Sequence, residues 1–438
     1  MHYSHRLLEK PIFTAFMSPF ITGLLGPRRV GKSTLIQHFL HRSSDWTVLE
    51  FNMDSLQERE QIKAGRLEDL ILTGIKRPLR ANQRVWVAID EAQKCPELFE
   101  QIKILYDHYK DQDAIKFILT GSARLELHKL STESLAGRIQ LFQLSAFGLA
   151  ETLELQHQCK VERSVFDLIE HSAEEALWQD YIHSLKPLRL ELVQSQQQLL
   201  WWGGLPEALS LTMEEEKLSY LGNYLQTYLE KDVLSIASIS DLILYRRLMD
   251  IISEQTGSVR DDRRILQALS CHRETLHKYR YYLEASLMYQ EIYPYINSNL
   301  KRLIKSPKGY LINNGLIAFL QGFNDWELLI KTGKIGVRLE NWFLNELKIW
   351  LSQSALRNTI SYWRTSAGAE VDFIVKKGNA IYPFEITHTN YIENKKIRNL
   401  FSFREYEPAV NYLYYVYNGD FIFDREQKIV FIPLWAVC

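Results

Sequence analysis

Cysteine is scarce in this 438-residue sequence: Cys95, Cys159, Cys271 and Cys438 are the only four. They show no paired metal-ligand spacing and are too sparse for a disulfide framework. No stretch approaches the ~20 consecutive apolar residues of a membrane-spanning helix, so no membrane partner is expected. An excess of one charge is also missing. Lys and Arg number 52 against 53 Asp and Glu, for a formal net charge of −1. No global field then demands a polyionic partner, and any nucleic-acid surface must be a local patch. With 20 glycines, 12 prolines, 46% hydrophobic and 24% charged residues, the chain has no collagenous, disordered or low-complexity signature. Near the N-terminus, Arg6, Glu9 and Lys10 precede a broken apolar stretch, unlike a secretory signal, and a cytoplasmic location is the expectation. At ~150 residues per domain, the length implies roughly three domains.

What the chain does have is a glycine loop. Gly26-Pro27-Arg28-Arg29-Val30-Gly31-Lys32-Ser33-Thr34 fits G-x-x-x-x-G-K-[ST]. It follows a short apolar stretch (20–25) suited to a buried strand and precedes residues 34–41, whose spacing is helical. Glycines let backbone N–H groups wrap phosphates, and a helix N-terminus adds positive dipole. In such a loop Lys32 neutralises β- and γ-phosphate oxygens and Ser33 ligates magnesium, so ATP with Mg2+ is the expected ligand pair. Val85-Trp86-Val87-Ala88-Ile89 then runs apolar into Asp90 and Glu91, the form of a Walker B strand. A continuous apolar run suits a strand covered on both faces, and its C-terminal end is where open α/β sheets place ligands. Asp90 is assigned to magnesium through water, and Glu91 to orienting and activating the attacking water. A third apolar run (116–119) ends in Thr120-Gly121-Ser122-Ala123-Arg124. Thr120 or Ser122 is a sensor candidate for the γ-phosphate or the lytic water; the alternative for either hydroxyl is capping the next helix.

GPRRVGKST, VWVAIDEAQ, FILTGSARLEL and ESLAGR, in this order, resemble the uncharacterised bacterial and archaeal AAA+ superfamily ATPases. The likeness continues through Gly203-Gly204-Leu205-Pro206-Glu207, the stretch 224–233, Lys305-Ser306-Pro307-Lys308-Gly309-Tyr310 and the stretch 362–373. It implies an α/β protein: a P-loop NTPase parallel sheet with a helical lid, a winged-helix domain and a C-terminal restriction-endonuclease-like domain. The corresponding boundaries are 1–150 for the P-loop ATPase domain, 151–235 for a helical insertion and lid, 236–325 for the winged helix and 326–438 for the PD-(D/E)XK nuclease-like domain. Residues 151–180 hold eight acids against two bases, so a solvated face is expected there. The resemblance also makes Arg138 an arginine finger, in cis or in trans, against the alternative of a pair with a local carboxylate. Pro206 takes the place of a proline that packs on adenine; Glu207 follows, so the arginine some lids supply nearby is missing.

Residues 242–256, 262–270 and 274–287 read as three helices, the third with Leu276, Tyr279, Leu283 and Leu287 as an apolar stripe. Tyr293-Pro294-Tyr295 and residues 301–305 are the expected wing strands. Between Ser258 and Tyr310 ten bases face five acids, +5 in a chain of −1, which suits DNA; protein interaction is the alternative for such a module. Arg273, Lys278, Arg280, Lys301 and Arg302 are the candidate contacts. In the C-terminal region Glu340 lies on a helix (337–351), and Asp372 and Glu385 lie on two strands of a hairpin around residues 376–379. That turn puts Asp372 opposite Pro383, one same-face step from Glu385, where both carboxylates meet one magnesium as a second metal site. The nuclease pattern requires Glu-x-Lys, and Thr387 stands at the lysine place, so an inactive scaffold is expected unless Lys395 or Lys396 reaches in. The expected function is an ATPase that drives a conformational or assembly switch, with DNA, a protein partner or a homo-oligomer as candidate associations. Its alternatives are an ATP- and magnesium-dependent DNA nuclease and a non-hydrolysing, ATP-sensing DNA-binding switch.

Overall fold

Three apolar runs of the sequence become the central strands of one parallel sheet. The computed structural model describes residues 3–42, 46–75, 84–110, 114–122, 134–171, 174–233, 239, 241–296, 306–322, 325–354 and 356–438. They divide into two compact units, one built on residues 6–145 and the other on 146–284 and 288–438.

In the smaller unit Ile21–Leu25 (β1), Thr47–Asn52 (β2), Val85–Asp90 (β3), Ile115–Gly121 (β4) and Ile139–Gln143 (β5) lie parallel in the order β2-β3-β4-β1-β5. Every residue of β1 and β4 is buried, as is β3 up to Asp90, because helices cover both faces. One of these, Glu97–Tyr109, turns Leu98, Phe99, Ile102 and Leu105 into a core shared with Ile62, Leu67 and Ile71. The chain leaves β1 for one edge of the sheet and returns past it to the other. The loops after β1, β3 and β4 therefore open on the same C-terminal edge, where such sheets hold ligands.

The larger unit begins with helices Leu149–His157, Val165–His171, Glu175–Leu185 and Arg189–Trp202. Of the acids in residues 151–180, Glu162, Asp167, Glu174 and Asp180 are exposed as expected, whereas Glu151 and Glu154 depart from that expectation at only 2% and 7% exposure. Their carboxylates have local work: Glu151 accepts from Gly148 N at 3.0 Å and Glu154 pairs with His5 Nδ1 at 2.6 Å. Glu170 accepts from Trp350 Nε1 and Lys377 Nζ. Three helices follow at Leu242–Gln255, Asp262–Leu269 and Arg273–Ala285, close to the expected spans. Asp241 caps the first and Asp261 the second by accepting backbone N–H bonds. The stripe Leu276, Tyr279 and Leu283 is buried, and the third helix stops before Leu287, whose φ of 59° is left-handed.

The strand pair after these helices differs from the expected wing. Tyr289–Pro294 (β6) pairs antiparallel with Lys308–Leu311 (β7), while residues 301–305 lie outside the described residues. β6 also runs parallel to Asn358–Arg364 (β8), with Tyr293 opposite Ser361. A boundary at 325/326 is thus crossed by one sheet. Glu370–Lys377 (β9), Ala380–Ile386 (β10), Leu413–Tyr417 (β11), Ile422–Asp424 (β12) and Ile429–Pro433 (β13) complete it in the order β12-β13-β11-β10-β9-β8-β6-β7. Helix Asn394–Tyr406 is the crossover between the parallel strands β10 and β11. The β9–β10 hairpin turns at Gly378-Asn379, with Gly378 at φ 60°, and pairs Lys377 with Ala380. Pro383 consequently faces Ile374, not Asp372, and Asp372 comes level with Glu385. The correction is two residues, which leaves every side chain on its expected face.

Helix Ile335–Ser352 carries a buried acid, Glu346, whose Oε1 accepts from Leu149 N at 2.8 Å at the start of helix Leu149–His157. Burial raises the Glu346 carboxyl to about 8, with the Leu149 hydrogen bond opposing and the Glu151 charge adding. A carboxyl raised in the fold binds a proton the unfolded chain releases, so stability is full below about 4.5 and falls as pH rises toward about 8. Glu346→Gln keeps an acceptor for Leu149 N and removes the titration. Chemical denaturation from pH 5 to 8 should show a flatter stability profile for this variant, the difference being at most ~1.4 kcal/mol per pH unit. Parallel profiles would refute the assignment.

Candidate functional site

The glycine loop begins where β1 ends. A Cβ on Gly26 would lie 2.6 Å from the Leu144 carbonyl oxygen, so the close pass of the chain requires glycine. Arg29 and Gly31 take left-handed conformations at φ 61° and 96°, and Val30 is buried beneath them. For a non-glycine residue that conformation costs ~1–2 kcal/mol, and it turns loop N–H groups inward. Lys32 lies across the loop and donates to the Gly26 and Pro27 carbonyls, at 2.9 Å each. Arg28 is partly exposed; Arg29, Ser33 and Thr34 are exposed.

Ser33 Oγ donates to Asp90 Oδ2 at 2.8 Å, joining the loop to the tip of β3. Asp90 Oδ1 accepts from Thr120 Oγ1 and, at 3.1 Å, from Glu91 N, which also reaches Thr120 Oγ1 at 3.2 Å. An alcohol oxygen and a carboxylate in contact beside a glycine loop are hard-oxygen donors of the kind Mg2+ prefers, and these residues fit that ion. A cavity of about 190 Å³ opens here, lined by Ser33, Gln37, Glu50, Asn52, Asp90 and Thr120 among others.

Glu91 leaves the strand in a left-handed conformation, φ 53° and ψ 41°. Its Oε2 accepts from Gln93 Nε2 at 2.6 Å and from Ser122 Oγ at 2.9 Å. The two hydroxyls expected near the phosphate are thus divided, Thr120 bonding to Asp90 and Ser122 to Glu91. Ala123 and Arg124 lie outside the described residues. Arg138 forms a two-pronged pair with Asp107, Nε at 2.9 Å and Nη2 at 2.8 Å, the local pairing that was the alternative to a finger. Pro206 belongs to the larger unit and starts helix Pro206–Ser210. The glycines before it answer to packing: a Cβ on Gly204 would lie 2.3 Å from the Phe147 carbonyl oxygen.

A second cluster forms on β7, β9, β10 and two helices of the larger unit. Lys396, on helix Asn394–Tyr406, donates to Asp372 Oδ2 at 3.0 Å, Glu385 Oε2 at 2.7 Å and the Ile386 carbonyl at 3.0 Å. Lys396, one of the two lysines left open to replace the one that Thr387 lacks, supplies the charge beside the two carboxylates, while Thr387 donates to Glu393 at 2.8 Å. On the other side Lys308 lies 2.5 Å from Glu370 and 3.7 Å from Glu340, which also accepts from Tyr310 at 2.9 Å. Burial would raise Asp372, but Lys396 and Lys308 hold it below the usual carboxylate range. Glu385 goes the other way, pushed well up by burial and by the Asp372 charge. Its Oε1 is buried with no hydrogen-bond partner, so the cluster offers a vacant acceptor to a cation or a proton.

The basic helical segment loses several of its expected contacts. Arg280 is 4% exposed and bonded to Asp262 at 2.6 Å, and Arg260 makes paired bonds to Glu291 at 2.8 and 2.9 Å. Lys308 is buried in the carboxylate cluster, and Lys301 and Arg302 lie outside the described residues. Arg273, His277, Lys278 and Tyr281 share the exposed face of the third helix. Gln93, Arg6 and Lys308 were missed by sequence reasoning. Lys308 and Tyr310 stand two apart on one strand and so share a face, a signal that existed; Arg6 offered none.

Residues 18–153 match the family described as AAA domain. Residues 193–327 and 336–437 match two families each described as a domain of unknown function, DUF8612 and DUF4143. The chain is 27% identical over 414 residues to an uncharacterized protein of Mycobacterium tuberculosis, covering 94% of this chain and 79% of that one. A Mycobacterium bovis protein, also uncharacterized, matches to the same extent. Among solved structures, a Walker-type ATPase of Pyrococcus abyssi is similar at 18% identity, 73% of this chain, 96% of that chain and a TM-score of 0.43. The Aeropyrum pernix ORC1 protein in complex with DNA is similar at 12% identity, 75% and 95% coverage and a TM-score of 0.28. Residues 18–153 thus form an AAA-type, P-loop ATPase-like domain.

Arg6 braces the loop from behind, donating to the Val30 carbonyl and to the Ser145 carbonyl at 2.7 Å each, and is 5% exposed. It thereby ties Val30 of the loop to the residue that follows β5 by two. Arg6→Met should weaken binding of a fluorescent ATP analogue about tenfold, the worth of a charge-assisted hydrogen bond. Unchanged affinity in a folded variant would show that the loop holds its shape unaided.

Proposed function

We propose that the chain is an ATPase that binds ATP with Mg2+ at the loop 26–34 and hydrolyses it to drive a change of conformation or assembly. The observation that carries this is the contact of Ser33 with Asp90 beside Lys32 and Glu91, four functional groups at one sheet edge. Backbone N–H groups of residues 26–31 would wrap the phosphates, and Lys32 would exchange its two carbonyl partners for phosphate oxygens. Ser33 and Asp90 would hold the ion, which, when bound, offsets charge on the β- and γ-phosphates. Glu91 would take a proton from the attacking water, while Thr120 keeps Asp90 in place and acts on the phosphate only through it. Pro206 against adenine, Arg138 as a finger released from Asp107 and a homo-oligomer that receives it belong to the same proposal. So do the ATPase, helical, helix-turn-helix and C-terminal divisions of the chain, and a cytoplasmic location. DNA would meet the exposed face bearing Arg273 and Lys278.

Lys32→Ala should abolish nucleotide binding, and Glu91→Gln should retain it while lowering turnover by ~100-fold or more. Phosphate release measured with and without duplex DNA, alongside ATP-analogue titration, separates the two effects. Normal turnover in Glu91→Gln overturns the assignment of that residue.

Lys396 favours a second reading, a magnesium-dependent nuclease in the larger unit. Asp372 and Glu385 would hold the ion, with the vacant Glu385 Oε1 as a donor to it, and Lys396 would orient water against a phosphodiester. Wild-type cleavage of DNA in Mg2+ that falls ~100–1000-fold in Lys396→Met and disappears in Asp372→Ala would support it. Wild-type cleavage at background reduces the cluster to a buried ion-pair network.

A further inference from the structure

We infer that Gln93 is a positioning residue for ATP hydrolysis: with Ser122 it pins one carboxylate oxygen of Glu91, Oε2, so that the other is presented to the attacking water. The inference rests on the ATPase reading above.

Gln93 follows the left-handed turn at Glu91 and lies in a single 3-10 turn, Ala92–Lys94, closed by Lys94 N donating to the Glu91 carbonyl at 3.0 Å. That reversal folds the Gln93 side chain back over the carboxylate two residues earlier. Gln93 is 7% exposed and Ser122 is 6% exposed, so neither can trade its contact freely for water. Both donate to the same oxygen, Glu91 Oε2, and the Gln93 amide nitrogen also lies 3.4 Å from Ser122 Oγ. Among the described residues no donor to Glu91 Oε1 accompanies them, so the carboxylate is held by one oxygen and open at the other.

The orientation of the amide is fixed by chemistry. A carboxylate only accepts, so the amide must present nitrogen to it; turned over, two acceptors would meet. That leaves Gln93 Oε1, and it is buried with no hydrogen-bond partner. A buried acceptor without a donor, beside a carboxylate held by one oxygen, calls for a small donor such as water. In the hydrolytic step the water oxygen bonds to the γ-phosphorus and the bond from that phosphorus to the β–γ bridging oxygen breaks. The bridging oxygen leaves on ADP with the electron pair. The water's proton passes to Glu91 Oε1 and then to solvent. Gln93 gives up no proton; its contribution is the angle at which the base waits.

The test uses the full chain. Gln93→Met preserves side-chain length and removes the donor. It should lower kcat roughly 10–100-fold, less than the ~100–10,000-fold that a positioned base itself contributes, while ATP-analogue affinity changes less than about twofold. Ser122→Ala should give a smaller loss. Single-turnover measurements in a Glu91→Gln background discriminate a positioning role from a structural one, because a residue that acts through Glu91 has little left to affect there. A Gln93→Met loss as large in that background as in wild type, equal losses in affinity and kcat, or a rise in kcat would each overturn the inference, the last by showing that the amide holds Glu91 away from the water. Gln93→Glu, which sets a like charge against Glu91, should also depress kcat if it is the variant that folds better. A wild-type chain that binds ATP but never turns it over removes the ATPase reading itself, and the inference with it.

Discussion

The geometry at the C-terminal edge of the smaller unit's sheet depends on how the Asp90 carboxylate distributes its bonds. One oxygen takes Ser33, on the helix that follows the glycine loop; the other takes Thr120 at the tip of β4 and the backbone of Glu91. A single side chain thus ties three segments at the edge where β3 and β4 end. With Thr120 Oγ1 and Asp90 Oδ1 both accepting from the Glu91 N–H, the left-handed turn there is set by hydrogen bonding and not by flexibility of the loop. From that turn follow the direction of the Glu91 side chain, the 3-10 turn and the return of Gln93.

Much of this was legible in the sequence because the relevant forces are local. The strand-to-loop-to-helix order around Gly26 to Thr34, and the apolar run into Asp90 and Glu91, are dictated by burial on both sheet faces and by glycine's freedom at Gly31. Which hydroxyl bonds which acid was not legible: Thr120 and Ser122 are two apart, and only the register of β4 against β3 decides which reaches Asp90. Arg6 is more than a hundred residues from one of its partners, and no periodicity advertises such a bond.

In the larger unit, hydropathy located the helices and strands, but charge counting misled at one lysine. In the +5 segment Arg260 and Arg280 pair with Glu291 and Asp262, acids the count already includes, whereas Lys308 is spent on Glu340 and Glu370 outside it, so formal charge overstated the surface field through Lys308. The three-residue pattern of the hairpin lacks its lysine at Thr387, and of the two later lysines that the sequence offered, only the structure picks Lys396, nine residues beyond on the next helix. A cation's chemical role is fixed by where its end group lies, and a long side chain on a helix can reach what the neighbouring strand position lacks.

The parallel pairing of β6 with β8 bears on how this protein can be cut into pieces. A fragment beginning near residue 326 would hold β8 to β13 but leave the β8 edge at Ser361 and Tyr362 without the backbone partners that Tyr293 and Pro294 supply. Exposed strand edges with unpaired N–H and C=O groups recruit other strands, so such a fragment would tend to associate with itself. Expression boundaries that respect the chemistry of the sheet must keep residues 289–311 with the C-terminal strands, even though the helices preceding them look like a separable module.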